Sequence, residues 1–241
     1  MSNLSISKPE YDKSRNGSNS LWYETYVLPC LAEFLGTGLF IFTGCASVIE
    51  NSVGTGRLQP ALAHGIALGI SVAIFTRVSG GHMNPAVSLG AALIGGLNTL
   101  LLIPYWVAQI CGGMVGAALA KAITSNSNFV NASGAAFTSI RTDDQVAGAI
   151  VAEIVMTFYL VLTVCMGAIK KQSKTPLAPI CIGLTVTVGI LGGGSVSGGC
   201  MNPARAFGSA LVTNYWAYHW VYWVGPIAGA IIVAMVLRYI V

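Results

Sequence analysis

Along this chain, long apolar runs alternate with polar links six times. The runs lie at roughly Tyr26–Ile49, Gln59–Val78, Leu100–Thr124, Val146–Ile169, Leu177–Gly194 and Tyr218–Val241. Each approaches the length of about 20 residues that an α-helix needs to cross a bilayer, so six membrane-spanning helices are expected. Charges inside the runs are few: Glu33, Arg77, Lys121, Glu153 and Arg238. The three basic ones lie near run ends, where long side chains reach the interface. The two acids are deep and demand hydrogen-bond donors.

Two further apolar stretches, Asn84–Gly95 and Asn202–Val212, are too short to span. Each follows a Gly/Ser-rich turn and opens with Asn-Pro-Ala. Asparagine suits a helix N-cap, and proline suits the first helical turn, so both are expected to be half-helices. They belong to an internal repeat. Ser79-Gly80-Gly81-His82-Met83-Asn84-Pro85-Ala86 matches Ser197-Gly198-Gly199-Cys200-Met201-Asn202-Pro203-Ala204 at seven of eight positions. Ala32-Glu33 and Ala152-Glu153 precede the motifs at similar distances, and Tyr105-Trp106-Val107 and Tyr222-Trp223-Val224 follow them. Each half therefore holds three spans and one half-helix. An odd number of spans per half turns the second copy upside down in the membrane, an inverted-topology repeat.

Composition narrows the class further. The 241 residues are 54% hydrophobic and only 8% charged, with 29 glycines. A soluble domain carries about a quarter charged residues and about 7% glycine. So few charges exclude both a disordered chain and a nucleic-acid-binding surface, and the net charge of +4 supplies no basic run. The six cysteines lie mostly in apolar runs and form no C-x-x-C pair, so neither a metal site nor a disulfide framework is expected. Residues 1–24 are polar, lack the apolar stretch of a cleavable leader, and are expected to form a disordered tail. Lys8, Lys13 and Arg15 in that tail, and Lys170, Lys171 and Lys174 after the fourth run, outweigh Arg57 and Arg141 on the opposite side. The positive-inside rule places both termini in the cytoplasm. The sequon Asn131-Ala132-Ser133 then faces outward, although such triplets are common by chance in polar loops.

Non-helical backbone at membrane depth is tolerated only where it is buried in protein or lines a water-filled cavity. Two Gly-rich turns leading to two helix N-termini therefore imply an aqueous path at the midplane. Helix N-termini carry partial positive charge, so an opposed pair repels cations and protons. The amides of Asn84 and Asn202 can donate to a passing lone pair, and a water held by both turns its hydrogens outward, breaking a proton wire. One such motif alone would be read as helix capping; two in inverted halves favour a pore.

At this point the chain resembles the aquaporin (major intrinsic protein) family. The paired Asn-Pro-Ala motifs, the second followed by Arg205, carry the resemblance from about Glu24 onward. Gln59-Pro60-Ala61-Leu62-Ala63-His64-Gly65 and Gly198-Gly199-Cys200-Met201 point within it to the aquaporin-8 subfamily. The resemblance implies an all-α fold of six transmembrane helices and two re-entrant half-helices in one channel domain. That domain covers 25–241, with repeats over 25–130 and 145–241. It also implies a homotetramer with a pore in each protomer, no cofactor, and no partner beyond the bilayer, water and small neutral solutes. Glu33 and Glu153 would sit behind the pore loops and accept hydrogen bonds from them. The family's four-residue constriction would fall on His64, Ile190, Gly199 and Arg205, the first two placed by counting back from the motifs. Glycerol-conducting relatives usually carry an aspartate after that arginine, where this chain has Ala206. The set is similar to that of ammonia-permeable plant vacuolar aquaporins, which implies a wider opening that admits ammonia and hydrogen peroxide besides water. Cys200 is either a packing residue or a pore-side thiol.

Two other classes stay in view. A coupled transporter also uses inverted repeats and broken helices, with Glu33 and Glu153 as a proton relay. An intramembrane hydrolase would use the serines of Gly194-Ser195-Val196-Ser197-Gly198, but this run does not match G-x-S-x-G.

Overall fold

The computed structural model describes residues 17–51 and 54–240, which form no β-strand. Its main helices are α1 (Leu28–Glu50), α2 (Leu58–Phe75), the short α3 (Pro85–Leu93), α4 (Leu102–Ile123), α5 (Val146–Val164), α6 (Ala178–Gly193), the short α7 (Pro203–Thr213) and α8 (Val221–Tyr239). The six long apolar runs thus become the six long helices, and both Asn-Pro-Ala stretches become short ones. At 16 residues, α6 is about 24 Å long, less than a bilayer core of about 30 Å. Its hydrogen-bond ladder runs on through Ser197 N–H to Gly193 O and Gly198 N–H to Gly194 O, which extends the rod into the following loop. The same extension follows α2, from Ser79 N–H to Phe75 O and Gly80 N–H to Thr76 O.

The helices present apolar residues outward and polar ones inward. Leu39, Ile66, Ile103, Val155 and Leu184 are exposed, while Glu33, Thr37, Gln109, Glu153 and Thr157 are buried. This inverts a soluble protein and suits lipid outside with polar chemistry inside.

The packing follows the repeat. The pairs α1–α4 and α5–α8 match, as do α1–α2 and α5–α6. The halves interlock because each half-helix packs against the last span of the other repeat, α3 on α8 and α7 on α4. Glycine makes these approaches possible. A Cβ on Gly116 would lie 2.4 Å from Gly38 O, one on Gly113 would lie 2.6 Å from Ala204 O, and one on Gly183 would lie 2.3 Å from Gly65 O. Small residues let membrane helices touch backbone to backbone.

One expectation is corrected. The polar tail of 1–24 is helical from Gly17: Gly17–Trp22 and a π-helical turn, Tyr23–Val27, lead directly into α1. Polar composition concealed a segment whose exposed Leu21, Trp22 and Tyr23 suit the aromatic belt of a membrane interface. Ser20 Oγ also donates to Glu24 Oε1 one turn on. Residues 1–16 lie outside the described residues.

Gly225 and Gly229 on α8 face α5, where a Cβ on Gly225 would come 2.5 Å from Glu153 Cβ. Gly225→Leu is expected to cost about 3 kcal/mol or more through overpacking, read as a lowered melting temperature in detergent. Gly192→Ala, whose Cβ enters open space, should melt with the parent.

Candidate functional site

The site begins with two loops that the sequence forces into unusual backbone. Gly80 and Gly81 have φ of 93° and 69°, and Gly198 and Gly199 have 95° and 63°. Met83 and Met201, the residues before each asparagine, also lie at positive φ, 50° and 56°. A non-glycine residue there costs on the order of 1–3 kcal/mol and persists only when its surroundings hold it.

Buried carboxylates hold it. Glu33 Oε1 accepts from Ser79 Oγ at 2.6 Å and His82 N–H at 2.9 Å, and its Oε2 accepts from Met83 N–H at 2.6 Å. Glu153 repeats the pattern: Ser197 Oγ at 2.6 Å, Cys200 N–H at 2.8 Å and Met201 N–H at 2.6 Å. Tyr105 Oη donates to Ser79 O and Tyr222 Oη to Ser197 O, each at 2.8 Å. The acids on the first span of each repeat, and the tyrosines on the last, thus grip each loop from both sides.

The half-helices meet N-terminus to N-terminus. Asn84 Oδ1 accepts from Ala86 N–H at 2.9 Å, and Asn202 Oδ1 accepts from Ala204 N–H at 3.0 Å, so both asparagines cap their helices. Their Nδ2 atoms cross over: Asn84 donates to Met201 O at 2.7 Å, and Asn202 donates to Met83 O at 2.8 Å. An amide NH2 has two hydrogens, so each asparagine keeps one N–H uncommitted. Both asparagines line a narrow cavity of about 10 Å³, the space of one water-sized sphere. His82 and Cys200 also line it, and Phe40, Leu68, Val87 and Leu160 are among its apolar lining residues.

Beside this cavity, Arg205 Nη1 donates to Gly199 O at 2.7 Å and to Cys200 O at 3.2 Å. Its other neighbour is the ring of Phe137, 4.8 Å away, which tilts in turn against Tyr222. No described carboxylate lies in ion-pair contact with Arg205; two carbonyls and a ring face meet the guanidinium directly, and the Glu153 charge acts on it from farther off. Ile190 packs on Gly199 so closely that a Cβ there would lie 3.0 Å from Ile190 Cα. Gly199, Ile190 and Arg205 therefore form one cluster. His64 is buried against Phe40 and Gly44, near enough for the Arg205 charge to reach it. His64 Nδ1 lies 2.7 Å from Pro60 O; a carbonyl can only accept, so Nδ1 carries a hydrogen and donates it there.

A family profile for Major intrinsic protein matches residues 23–237. The chain belongs to that family, the aquaporins. Aquaporin-8 of Rattus norvegicus is 58% identical over 217 residues, covering 90% of this chain and 82% of that protein. Aquaporin TIP1-2 of Zea mays is 43% identical over 216 residues, covering 86% of this chain and 83% of that protein. The X-ray structure of the aquaglyceroporin from Plasmodium falciparum matches with a TM-score of 0.77, covering 89% of this chain and 96% of that one. At 23% identity that last likeness is one of fold. This aquaporin is a multi-pass membrane channel of a non-enzymatic family. Its Ser197 hydroxyl is bound to Glu153 as turn chemistry.

Sequence reasoning missed three parts of this aquaporin's site. Gln109 Nε2 donates at 2.8 Å both to Glu33 Oε2 and to Ser88 Oγ, and Ser88 Oγ lies 3.1 Å from His82 Nδ1. A lone amide in the middle of an apolar span was the available signal for Gln109. Phe137 offered none, because only folding brings its loop over Arg205.

Glu153→Gln would put an NH2 group against donors that now meet a carboxylate. With about 1–3 kcal/mol lost per buried donor left unpaired, a marked fall in melting temperature and in osmotic water flux is expected. Unchanged melting would show that the Cys200–Met201 turn holds itself.

Proposed function

We propose that this aquaporin conducts water, ammonia and hydrogen peroxide passively and in single file, and excludes protons and ions. The observation that carries the reading is the crossed pair of asparagine bonds around a water-sized cavity, which leaves one N–H of each amide for a passing oxygen or nitrogen. A water that accepts both points its hydrogens away, so protons cannot relay through it. The opposed helix N-termini and the permanently charged Arg205, which has no carboxylate in contact among the described residues, repel cations. A coupled proton relay is disfavoured, because four donors occupy Glu33 and three occupy Glu153.

His64, Ile190, Gly199 and Arg205 are the proposed constriction. Arg205 and His64 supply donors and an acceptor, Ile190 gives an apolar wall, and Gly199 adds no bulk. The backbone requires glycine at that last place, since φ is 63° and Ile190 stands behind it. Phe137 holds the guanidinium from outside. Glu33 and Glu153 are loop supports. The protein is proposed to assemble as a homotetramer with both termini cytoplasmic, in keeping with its exposed apolar faces and basic links.

Proteoliposomes should shrink fast under osmotic stress with no proton leak above empty vesicles; flux equal to empty vesicles, with folded protein present, overturns the reading. Ile190→His adds a polar wall without straining Gly199. Water flux should stay within about threefold while ammonia and peroxide flux fall about tenfold. An unchanged ammonia-to-water ratio would place the constriction elsewhere. Cys200, whose Sγ lies 3.1 Å from Asn202 O, is proposed to be the pore-side thiol. Cys200→Ser should abolish mercurial block with basal flux kept, and persistent block would move the reactive site to another cysteine.

A further inference from the structure

The first repeat carries a polar chain that the second lacks. From Glu33 on α1 it runs through Gln109 on α4 and Ser88 on α3 to His82 in the loop before α3. The register that lays Asn84 on Asn202 lays Ser88 on Ala206 and His82 on Cys200, and Pro226 stands in the place of Gln109. Yet the second loop is held in the same way as the first, by one hydroxyl and two N–H groups on Glu153 and by the Tyr222 hydroxyl. Holding such a loop therefore requires neither Gln109, nor Ser88, nor an imidazole.

The hydrogens of this chain can be assigned one by one. A carboxylate only accepts, so Glu33 fixes Gln109 with its NH2 group turned towards it. The two hydrogens of that amide go to Glu33 Oε2 and Ser88 Oγ, both at 2.8 Å. Ser88 Oγ has one other partner among the described residues, His82 Nδ1 at 3.1 Å. Gln109 Oε1 takes nothing, so the hydroxyl hydrogen has a single acceptor within reach, Nδ1. Leaving a buried hydroxyl hydrogen unmatched is costly; Ser88 therefore donates and Nδ1 accepts. A neutral ring that accepts at Nδ1 carries its hydrogen on Nε2. Nε2 has no partner among the described residues and is not one of the polar atoms sealed in without one, so it reaches open space. For His82 that space is the narrow cavity that Asn84 and Asn202 also line.

We infer that Gln109 and Ser88 are positioning residues that lock His82 in the Nε2–H form, so that its ring offers a hydrogen-bond donor to water, ammonia or peroxide beside the asparagine pair. The inference rests on the proposed conduction path and adds a third donor to it. Apart from the asparagines, His82 is the one residue lining the cavity with an uncommitted side-chain hydrogen, since Cys200 Sγ is turned to Asn202 O. Val87, Leu160, Val164 and Ile182 leave much of the remaining wall apolar. A lone pair that lets go of an asparagine thus finds its next donor at His82. The other tautomer would face the cavity with a lone pair of its own and invite a proton instead.

Nitrogen-15 spectra of the full chain, labelled at histidine and reconstituted in proteoliposomes, test this at about pH 8.5, above the ordinary histidine range. The chain has three histidines. His64 donates from Nδ1 to Pro60 O, and His219 accepts the Trp223 N–H at Nε2, so both carry hydrogen on Nδ1. One ring of the three should therefore show the Nε2–H form, and His82→Asn should remove that signal. Ser88→Ala, which copies Ala206 of the second repeat, should convert the ring to a mixture of both forms and lower osmotic water flux about threefold. Thr157→Val, which removes a buried hydroxyl that has no partner, should match the parent in both readouts. Three Nδ1–H rings in the parent overturn the lock, and so does a pure Nε2–H signal kept in Ser88→Ala. Parent flux in Ser88→Ala with the tautomer lost overturns the donor role, and an equal loss in Thr157→Val reduces it to packing. The spectrum needs no transport, so a parent that shows the Nε2–H ring yet conducts no water upholds the lock and fails the proposed function.

Discussion

The structure depends on two carboxylates buried among apolar helices. A loop that stops hydrogen-bonding to itself in the middle of a bilayer must find other partners for every N–H it exposes. Here the turns before α3 and α7 find them in Glu33 and Glu153, whose oxygens are acceptors only and can each take two donors. The carboxylates also stabilise the positive φ of Met83 and Met201, whose own carbonyls face the opposite asparagine. Asn84 and Asn202 can then cap their own helices through Oδ1 and tie the two loops together through Nδ2. What is left over, one N–H per asparagine, is what the proposed function offers to a passing molecule. Function here is the remainder after structural demands are met.

Close packing of the helices makes that arrangement rigid. The half-helices are held by the other repeat's last span, so the loop before α7 cannot move without parting helices that touch through Gly113, Gly208 and Ala204, nor the loop before α3 without parting Gly90 from Ala230. Gly208 illustrates the tolerance, since a Cβ there would stand 2.4 Å from Gly113 O. Elsewhere, exposed leucine and isoleucine leave the outer faces free to meet lipid or another copy of the chain.

Much of this was legible in the sequence because membrane physics leaves few options. Long apolar runs can only be spans, and repeated Asn-Pro-Ala after paired glycines can only cap buried helix starts. Glu33 and Glu153 were conspicuous because an acid at that depth must be satisfied, and the repeat located both. The tail was misjudged from Gly17 onward, since Ser and Asn lower mean hydropathy while Trp22 and Tyr23 still suit an interface. Gln109 and Phe137 lay beyond pattern reading for different reasons. Pro226 stands where the repeat would put a second Gln109, so symmetry gave no cue, and Phe137 reaches Arg205 across a long stretch of chain.

The repeat also explains why the proposed constriction is one-sided. The register that lays Asn84 on Asn202 lays Val87 on Arg205, Val72 on Ile190, Gly81 on Gly199 and Ile182 on His64. The backbone of the ring is present twice, for a Cβ on Gly81 would lie 3.2 Å from Val72 Cα just as one on Gly199 would meet Ile190. Its chemistry is not. The inner copy is apolar throughout, and Val87 and Ile182 simply line the central cavity. Two cationic rings would place like charges on both sides of a midplane already made positive by two helix N-termini, and would hold lone-pair solutes tightly at each. On the proposed reading one ring would suffice to reject cations, whichever way they travel, because a barrier in series acts in both directions. The apolar copy would then let the molecule leave. Symmetry builds the scaffold, and on the proposed reading the departures from it, Arg205 and His64 against Val87 and Ile182, set what passes.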